Sequence, residues 1–428
     1  MQAISSEILT NIASFNGIDV YHIKMDKFKT STINIFLHDN LCRENVTKNA
    51  LLPAVLRRGC KRLPKFQDIA LYLEELYGAS FDCGVVKKGE RQILHFYMEC
   101  VSDKFTGADE KIFEKAAQLI YEILTDPVVE NGGFKSEYME QEKENLKNLI
   151  ESRINDKVQY AMERCYEEMC KGEPFGIFEY GSVSDLSGIN GNNLYEHYKT
   201  AISTFPISVF ITGNVKEDVI SGLIEKLSKI PRSQVKKVDI EKINTDVGEI
   251  KKVNENINVN QAKLALGFRT YTASNNKDYY PLLVYNGILG GGMHSKLFQN
   301  VREKESLAYY IYSRLDKFKG VMIISGGIET GNKEKTEGII EKQLEDIQKG
   351  KISDYEFDST IKTIETGINS LKDSQMQIVD FYLSQVIVNT TDTLDSIIEK
   401  VKKVTKKDVV EVSKKIKLDT VYFLAPQA

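Results

Sequence analysis

The chain reads as one plan written twice, and that recurrence constrains its fold more than anything in its composition. In the first half, Thr32-Ile33-Asn34-Ile35-Phe36-Leu37 alternates like a strand. A helix over 48–58, closed by Gly59, comes next. A second covers 65–77, with Ile69, Leu71, Leu73 and Leu76 as candidate core and Gly78 as its stop. Strands at 79–85 and 93–101 face each other across Lys87-Lys88-Gly89-Glu90. Helical stretches at 109–124, 136–169 and 192–201 lead to a strand at 209–214. The second half answers in the same order. The strand at 261–268 matches 33–37, and 283–289 matches the helix around Leu51. Segments 297–298, 309–312 and 321–325 match 73–76, 81–85 and 93–97, and 421–424 matches 209–212. The copies lie about 210 residues apart. Ahead of the first copy, 16–37 reads as a hairpin with Asn16-Gly17 at a turn. The expected class is α+β: two tandem homologous domains, each an antiparallel sheet with helices on one face. The expected boundaries are 1–227 and 261–428. A polar linker without aromatics joins them over 228–260.

Composition excludes several function classes. A hydrophobic share of 42% and a charged share of 28% suit an ordinary globular protein of 428 residues. The net charge of −4 gives no electrostatic case for nucleic acid or an anionic membrane surface. No apolar run reaches the roughly 18 residues that span a bilayer. The N-terminal residues lack a basic start followed by an apolar core, so a cytoplasmic location is expected. The six cysteines form no CxxC pair, which suits reduced thiols. There is no GxSxG elbow and no P-loop. Cys60 sits between Gly59 and Lys61-Arg62, where cations lower a thiol pKa, but no histidine adjoins it and a non-catalytic role is the better reading. The surrounding basic run, 57–62, reads as an exposed helix end.

The densest local signal is YNGILGGGMHSKLFQNVREKESLAYYIYS, residues 285–313. An apolar run leads into Gly290, Gly291 and Gly292, which leave room for positive φ and close backbone approach. Leu297, Phe298 and Val301 follow at helical spacing, and 306–312 reads as a strand. Arg302 and Tyr309 stand seven residues apart across the corner between them. Alone, the glycines suit a tight helix entry and Tyr309 an ordinary core position. The whole string resembles the C-terminal-domain signature of the M16 peptidases, the pitrilysin, insulinase and mitochondrial processing peptidase relatives. That resemblance implies a LuxS/MPP-like metallohydrolase-type fold in both halves. It also implies that Arg302, Tyr309 and the three glycines bind substrate backbone.

The same resemblance calls for HxxEH on the first-half helix. There, two histidines one turn apart ligate zinc and the glutamate works on the metal-bound water. Aligned on Gly59, the positions are held by Ala50, Pro53 and Ala54, none of which offers a side-chain lone pair. The five histidines, His22, His38, His95, His197 and His294, are not spaced to share a helix face and read as structural. The distal glutamate of the family would fall near Glu142, Glu144 and Glu151, which read as a solvated helix face. The expectation is therefore no metal, no cofactor and no catalytic residue in this chain. It would be a non-catalytic, short bacterial M16 subunit that forms a hetero-oligomer with an HxxEH-bearing M16 paralogue and helps bind a peptide or protein substrate. A binding or scaffold module without any part in hydrolysis is the alternative.

Overall fold

The computed structural model describes residues 9–106, 110–239, 241–244 and 247–427. The chain divides into two units: Met1–Glu151 with Glu179–Ile240, and Ser152–Phe178 with Glu241–Ala428. The strands of the first are β1 (Leu9–Phe15), β2 (Ile18–Ile23), β3 (Thr30–Asn40), β4 (Ser80–Lys88), β5 (Arg91–Val101), the short hairpin β6 (Val129–Glu130) and β7 (Gly133–Phe134), and β8 (Ile207–Thr212). The helices in chain order are α1 (Val46–Leu56), α2 (Phe66–Glu75), α3 (Ile112–Thr125), α4 (Ser136–Ser152), α5 (Lys157–Met169), α6 (Val183–Leu186), α7 (Gly191–Thr204) and α8 (Glu217–Ser228). Of these, α5 belongs to the second unit.

The main sheet of the first unit runs β1-β2-β8-β3-β5-β4. Asn16 and Gly17 both take positive φ, so β1 and β2 form the tight hairpin that an Asn-Gly pair favours. β2 does not go on to pair with β3, as a hairpin over 16–37 would require. β8 lies between them, parallel to β2 and antiparallel to β3. All six residues of β8 are buried, and so apolar a strand gains most at the centre of the sheet. In α2 only part of the expected core is buried. Ile69 and Leu76 are inside, Leu73 is half-buried, and Leu71 is 60% exposed, because the helix packs by one narrow side.

The second unit repeats the plan with β9 (Lys251–Ile257), β10 (Ala262–Arg269), β11 (Ala308–Asp316), β12 (Val321–Ile328) and β13 (Lys417–Pro426), ordered β11-β12-β10-β13-β9. Its helices are α9 (Tyr279–Gly290), α10 (Lys333–Gln348), α11 (Asp354–Leu371), α12 (Gln375–Val388), α13 (Leu394–Lys402) and α14 (Lys406–Ser413). Strand for strand, β9-β13-β10-β12-β11 matches β2-β8-β3-β5-β4, including the one parallel pair in each. Neither sheet is purely antiparallel. The polar stretch 228–260 is more than a linker, because β9 lies within it. Glu255 hid that strand from a reading by composition. Its carboxylate accepts from the hydroxyls of Tyr160 and Tyr422, each at 2.7 Å, so a charge fits a half-buried position.

The expected continuous helix over 136–169 breaks at Arg153–Asn155. Asp156 then caps α5 by accepting from the N–H groups of Val158 and Gln159. The break sends Ser152–Phe178 to the second unit, so the boundary expected at 227 is crossed by an exchanged segment. Ala161, Met162 and Cys165 of α5 pack on Ala265, Ile323, Tyr422 and Leu424. Those strand residues alternate with Leu264, Leu266, Ile324, Val421 and Phe423, which face the main helical core. The second sheet is therefore covered on both faces, and a one-face reading omits α5. Farther along the segment, Glu173 accepts from Arg269 at 2.7 Å and pairs with Lys319 at 2.6 Å. Arg269 also reaches Asp419 at 3.1 Å.

Candidate functional site

The helix expected to carry the metal motif, α1, carries Ala50, Pro53 and Ala54. Ala50 and Pro53 are buried and Ala54 is half-buried. Pro53 lies inside the helix, where it cannot donate the backbone hydrogen bond that a glutamate there would donate. Its own carbonyl accepts from the Cys83 thiol at 3.1 Å. What fastens α1 is an amide. Asn49, fully buried, donates to Asp39 and to Gln92, both at 3.0 Å, and its carbonyl oxygen takes the His197 Nε2–H at 2.7 Å. Asp39 is also paired with Lys236. A lone amide in an apolar helix is the sequence signal that could have revealed this network, since a buried amide needs partners.

The helix expected to supply a distal carboxylate is α4. Glu142 is not on a solvated face, as expected from sequence. It is buried, its carboxylate pairs with the Arg58 guanidinium at the end of α1, and Asn145 donates to it at 3.1 Å. A cation already satisfies that carboxylate. Glu144 follows the solvated expectation, pairing with Lys147 at 3.5 Å, and Glu151 is exposed. Arg62 pairs with Glu122 at 2.7 Å, so the basic run is braced rather than free. Cys60 is buried, and burial pushes its thiol pKa up despite the nearby Arg62. That is the opposite of a reactive thiolate.

The histidines are all hydrogen-bonded. His22 meets the Gly213 carbonyl at 3.2 Å, His38 meets Ser208 at 3.1 Å and His95 meets Asn34 at 2.9 Å. His294 meets Thr360 at 2.9 Å. Burial lowers His38 to about 3, and burial together with the Lys48 charge lowers His197 to about 4. Among the described residues no three His, Cys, Asp or Glu side chains are grouped to hold a metal ion.

Gly290 ends α9 against Ser313 of β11, while Arg302 and Tyr309 stand on either side of the corner that leads into that strand. None of the three glycines takes positive φ. Gly290 serves close approach instead: a Cβ there would lie 2.4 Å from the Ser313 backbone nitrogen of β11. At Gly292 a Cβ would meet only the His294 ring, at 3.3 Å. The expected helix through Leu297, Phe298 and Val301 is a π-helical turn, Phe298–Lys304, pinned by buried Val301. Arg302 projects from this turn, half-exposed, with its guanidinium over the Phe298 ring at 4.7 Å and 3.8 Å from Glu303. The chain leaves through Ser306, held at φ 51°, a strained value for a residue with a Cβ.

β11 then begins irregularly. Ala308 pairs with Ile328 and Tyr310 with Gly327, so Tyr309 is the extra residue of a bulge. Its side chain is 65% exposed and takes no hydrogen-bond partner among the described residues. It is not a core position. Pairing only with β12, β11 is an edge of its sheet. The left-handed Ser306 costs stability, and it falls between a π-turn and a bulge. Together they turn a guanidinium and a phenol outward beside an open strand edge.

The family profile described as "Peptidase M16 inactive domain" matches residues 188–364, which include the glycines, Arg302 and Tyr309. The chain is 34% identical over 408 residues to "Probable inactive metalloprotease YmfF" of Bacillus subtilis (strain 168), covering 95% of this chain and 96% of that one. A crystal structure of a conserved protein from Enterococcus faecalis V583 superposes with a TM-score of 0.90 at 30% identity, over 98% of this chain and 99% of the other. The crystal structure of a peptidase M16 inactive domain from Pseudomonas fluorescens shares the fold, with a TM-score of 0.82 at 16% identity over 98% of each chain. No helix among the described residues is long and apolar enough to cross a membrane. The chain belongs to the M16 peptidase family as an inactive metalloprotease homologue.

Proposed function

We propose that this chain is the accessory member of a two-subunit M16 peptidase. An HxxEH-bearing paralogue brings the metal and the activated water. This chain brings Arg302 and Tyr309 to hold an extended peptide beside it. The observation that carries this reading is the exposure of both side chains around a π-turn, the left-handed Ser306 and a bulge, while Ala50, Pro53 and Ala54 carry no side-chain donor for zinc. The Arg302 guanidinium has the chemistry to bind a peptide carbonyl or the oxyanion formed from it, and Tyr309 supplies a hydroxyl donor. The open edge of β11 suits main-chain pairing with an extended guest.

The test mixes purified chain with its HxxEH-bearing partner and follows cleavage of a fluorogenic peptide. Cleavage should rise on mixing. Arg302→Ala should then lower kcat/KM on the order of a hundredfold without dissolving the complex. If the partner alone cleaves equally well, the accessory role fails. If the complex forms but Arg302→Ala and Tyr309→Phe change nothing, a scaffold without a part in hydrolysis replaces it.

A further inference from the structure

The two units repeat one plan, but one helix of the first, α8, has no counterpart described in the second. In the first unit β8 is followed by α8, whose Ile220, Leu223 and Leu227 enter the same core as Leu119, Ile120 and Ile123 of α3. Lys226 of α8 donates to Gln118 of α3, so the seat has an apolar floor and a polar clasp. In the second unit β13 stands for β8 and α10 for α3. Among the described residues α14 packs on α10, but no helix follows β13 to lie where α8 lies in the first unit. A groove of about 490 Å³ lies there instead. Its floor is Leu266, Phe268 and Val421 from the sheet, and its wall is Ile340 and Leu344 from α10.

The lip formed by α10 is acidic. Glu337, Glu341 and Glu345 recur every fourth residue, a like-charge spacing that disfavours the helix unless a cation faces it. Lys349 faces Glu345 at 2.5 Å. One carboxylate oxygen of Glu337 is buried and takes no hydrogen-bond donor, an arrangement that costs stability until a donor arrives. The opposite lip carries Ile250 and Lys252, so the negative charge is confined to the α10 side.

We infer that this groove is the docking site for an amphipathic helix of a partner protein. The helix would sit as α8 does in the first unit, with an apolar stripe at i, i+3 and i+7 in the groove and lysines or arginines on the flank facing α10. The occupant is read from α8, which fills the matching seat, and from the charge of the lip, which calls for a basic flank. This surface is separate from Arg302 and Tyr309, and its occupation is independent of the accessory reading.

Two labelled synthetic peptides test it. Both carry the Ile-Leu-Leu stripe of α8; one has lysines along one flank and the other has glutamates. Fluorescence anisotropy with the full chain should give saturable binding of the lysine peptide, weakening as salt rises. Glu341→Lys with Glu345→Lys, both at exposed positions, should weaken that binding about tenfold and create binding of the glutamate peptide. Failure of the lysine peptide to bind, equal binding of both peptides, or indifference to salt and charge reversal would overturn the proposal. So would a self-association of the chain that Leu344→Asp abolishes, which would assign the groove to a second copy.

Discussion

Arg58, just past α1, and Glu142 of α4 form an ion pair. Both are largely buried, so removing one partner strands the other's charge. Arg58→Ala should destabilise the first unit by about 3 kcal/mol in chemical denaturation. The pair Arg58→Met with Glu142→Leu should recover most of that loss; if the double variant is as unstable as the single one, the ion pair is not the cause. Two histidines make a separate prediction. His38 and His197 are held neutral when folded, lowered to about 3 and about 4. The unfolded chain takes up their protons from about pH 6.5 downward, so it binds more protons than the folded chain below that pH. Stability should therefore fall as pH drops from about 6.5 toward about 4. Replacing both with glutamine should flatten that slope, and an unchanged slope would contradict their part in it. At this scale the sequence was half legible. The absence of donors at Ala50, Pro53 and Ala54 could be read directly, because a side chain without lone pairs lacks them in any fold. The burial of Glu142 could not, because its partner Arg58 is far away in the sequence and no helical periodicity announces such pairing.

Among elements, the corner before β11 shows how much a single backbone approach decides. Gly290→Ala would press a methyl on the Ser313 backbone and should cost about 1–3 kcal/mol. Gly292→Ala meets only the His294 ring, at 3.3 Å, and no backbone, so it should cost less than Gly290→Ala. Equal losses at the two positions would refute this account of the corner. The exchanged segment makes a pH prediction. Burial opposes the charge on Glu173, but the hydrogen bonds from Arg269 and Lys319 outweigh it and hold the carboxyl below its usual range. A depressed carboxyl stabilises the fold above the unfolded value, about 4.3, and that contribution is lost as pH falls through the folded value. Glu173→Gln should weaken the second unit at neutral pH and remove part of its acid sensitivity below about pH 4.3. Local periodicity found β2–β5, β8 and β10–β13 with the helices α1–α3, α7 and α9, because burial imposes it, but it placed neither β1 and α8 nor the separate helices α10–α14. It missed the break at Arg153–Asn155 and the strand β9, since both depend on partners distant in sequence: the second sheet for α5, and the hydroxyls of Tyr160 and Tyr422 for Glu255.

Over the whole molecule, two copies of one plan have kept different things. The first carries Ala50, Pro53 and Ala54, without side-chain donors, on α1 and fastens that helix through Asn49. The second holds Arg302 and Tyr309 outward on a π-turn and a bulge. The duplication was legible because both copies bury the same pattern of strands and helices. The exchange of 152–178 between them was not, because no local pattern says which sheet a helix will cover. The most direct measurement combines zinc content and peptide cleavage for the chain alone, its HxxEH-bearing partner alone and the mixture. The accessory role predicts zinc only in samples that contain the partner, cleavage strongest in the mixture, and loss of that gain with Arg302→Ala. Stoichiometric zinc and turnover in the purified chain by itself would contradict it.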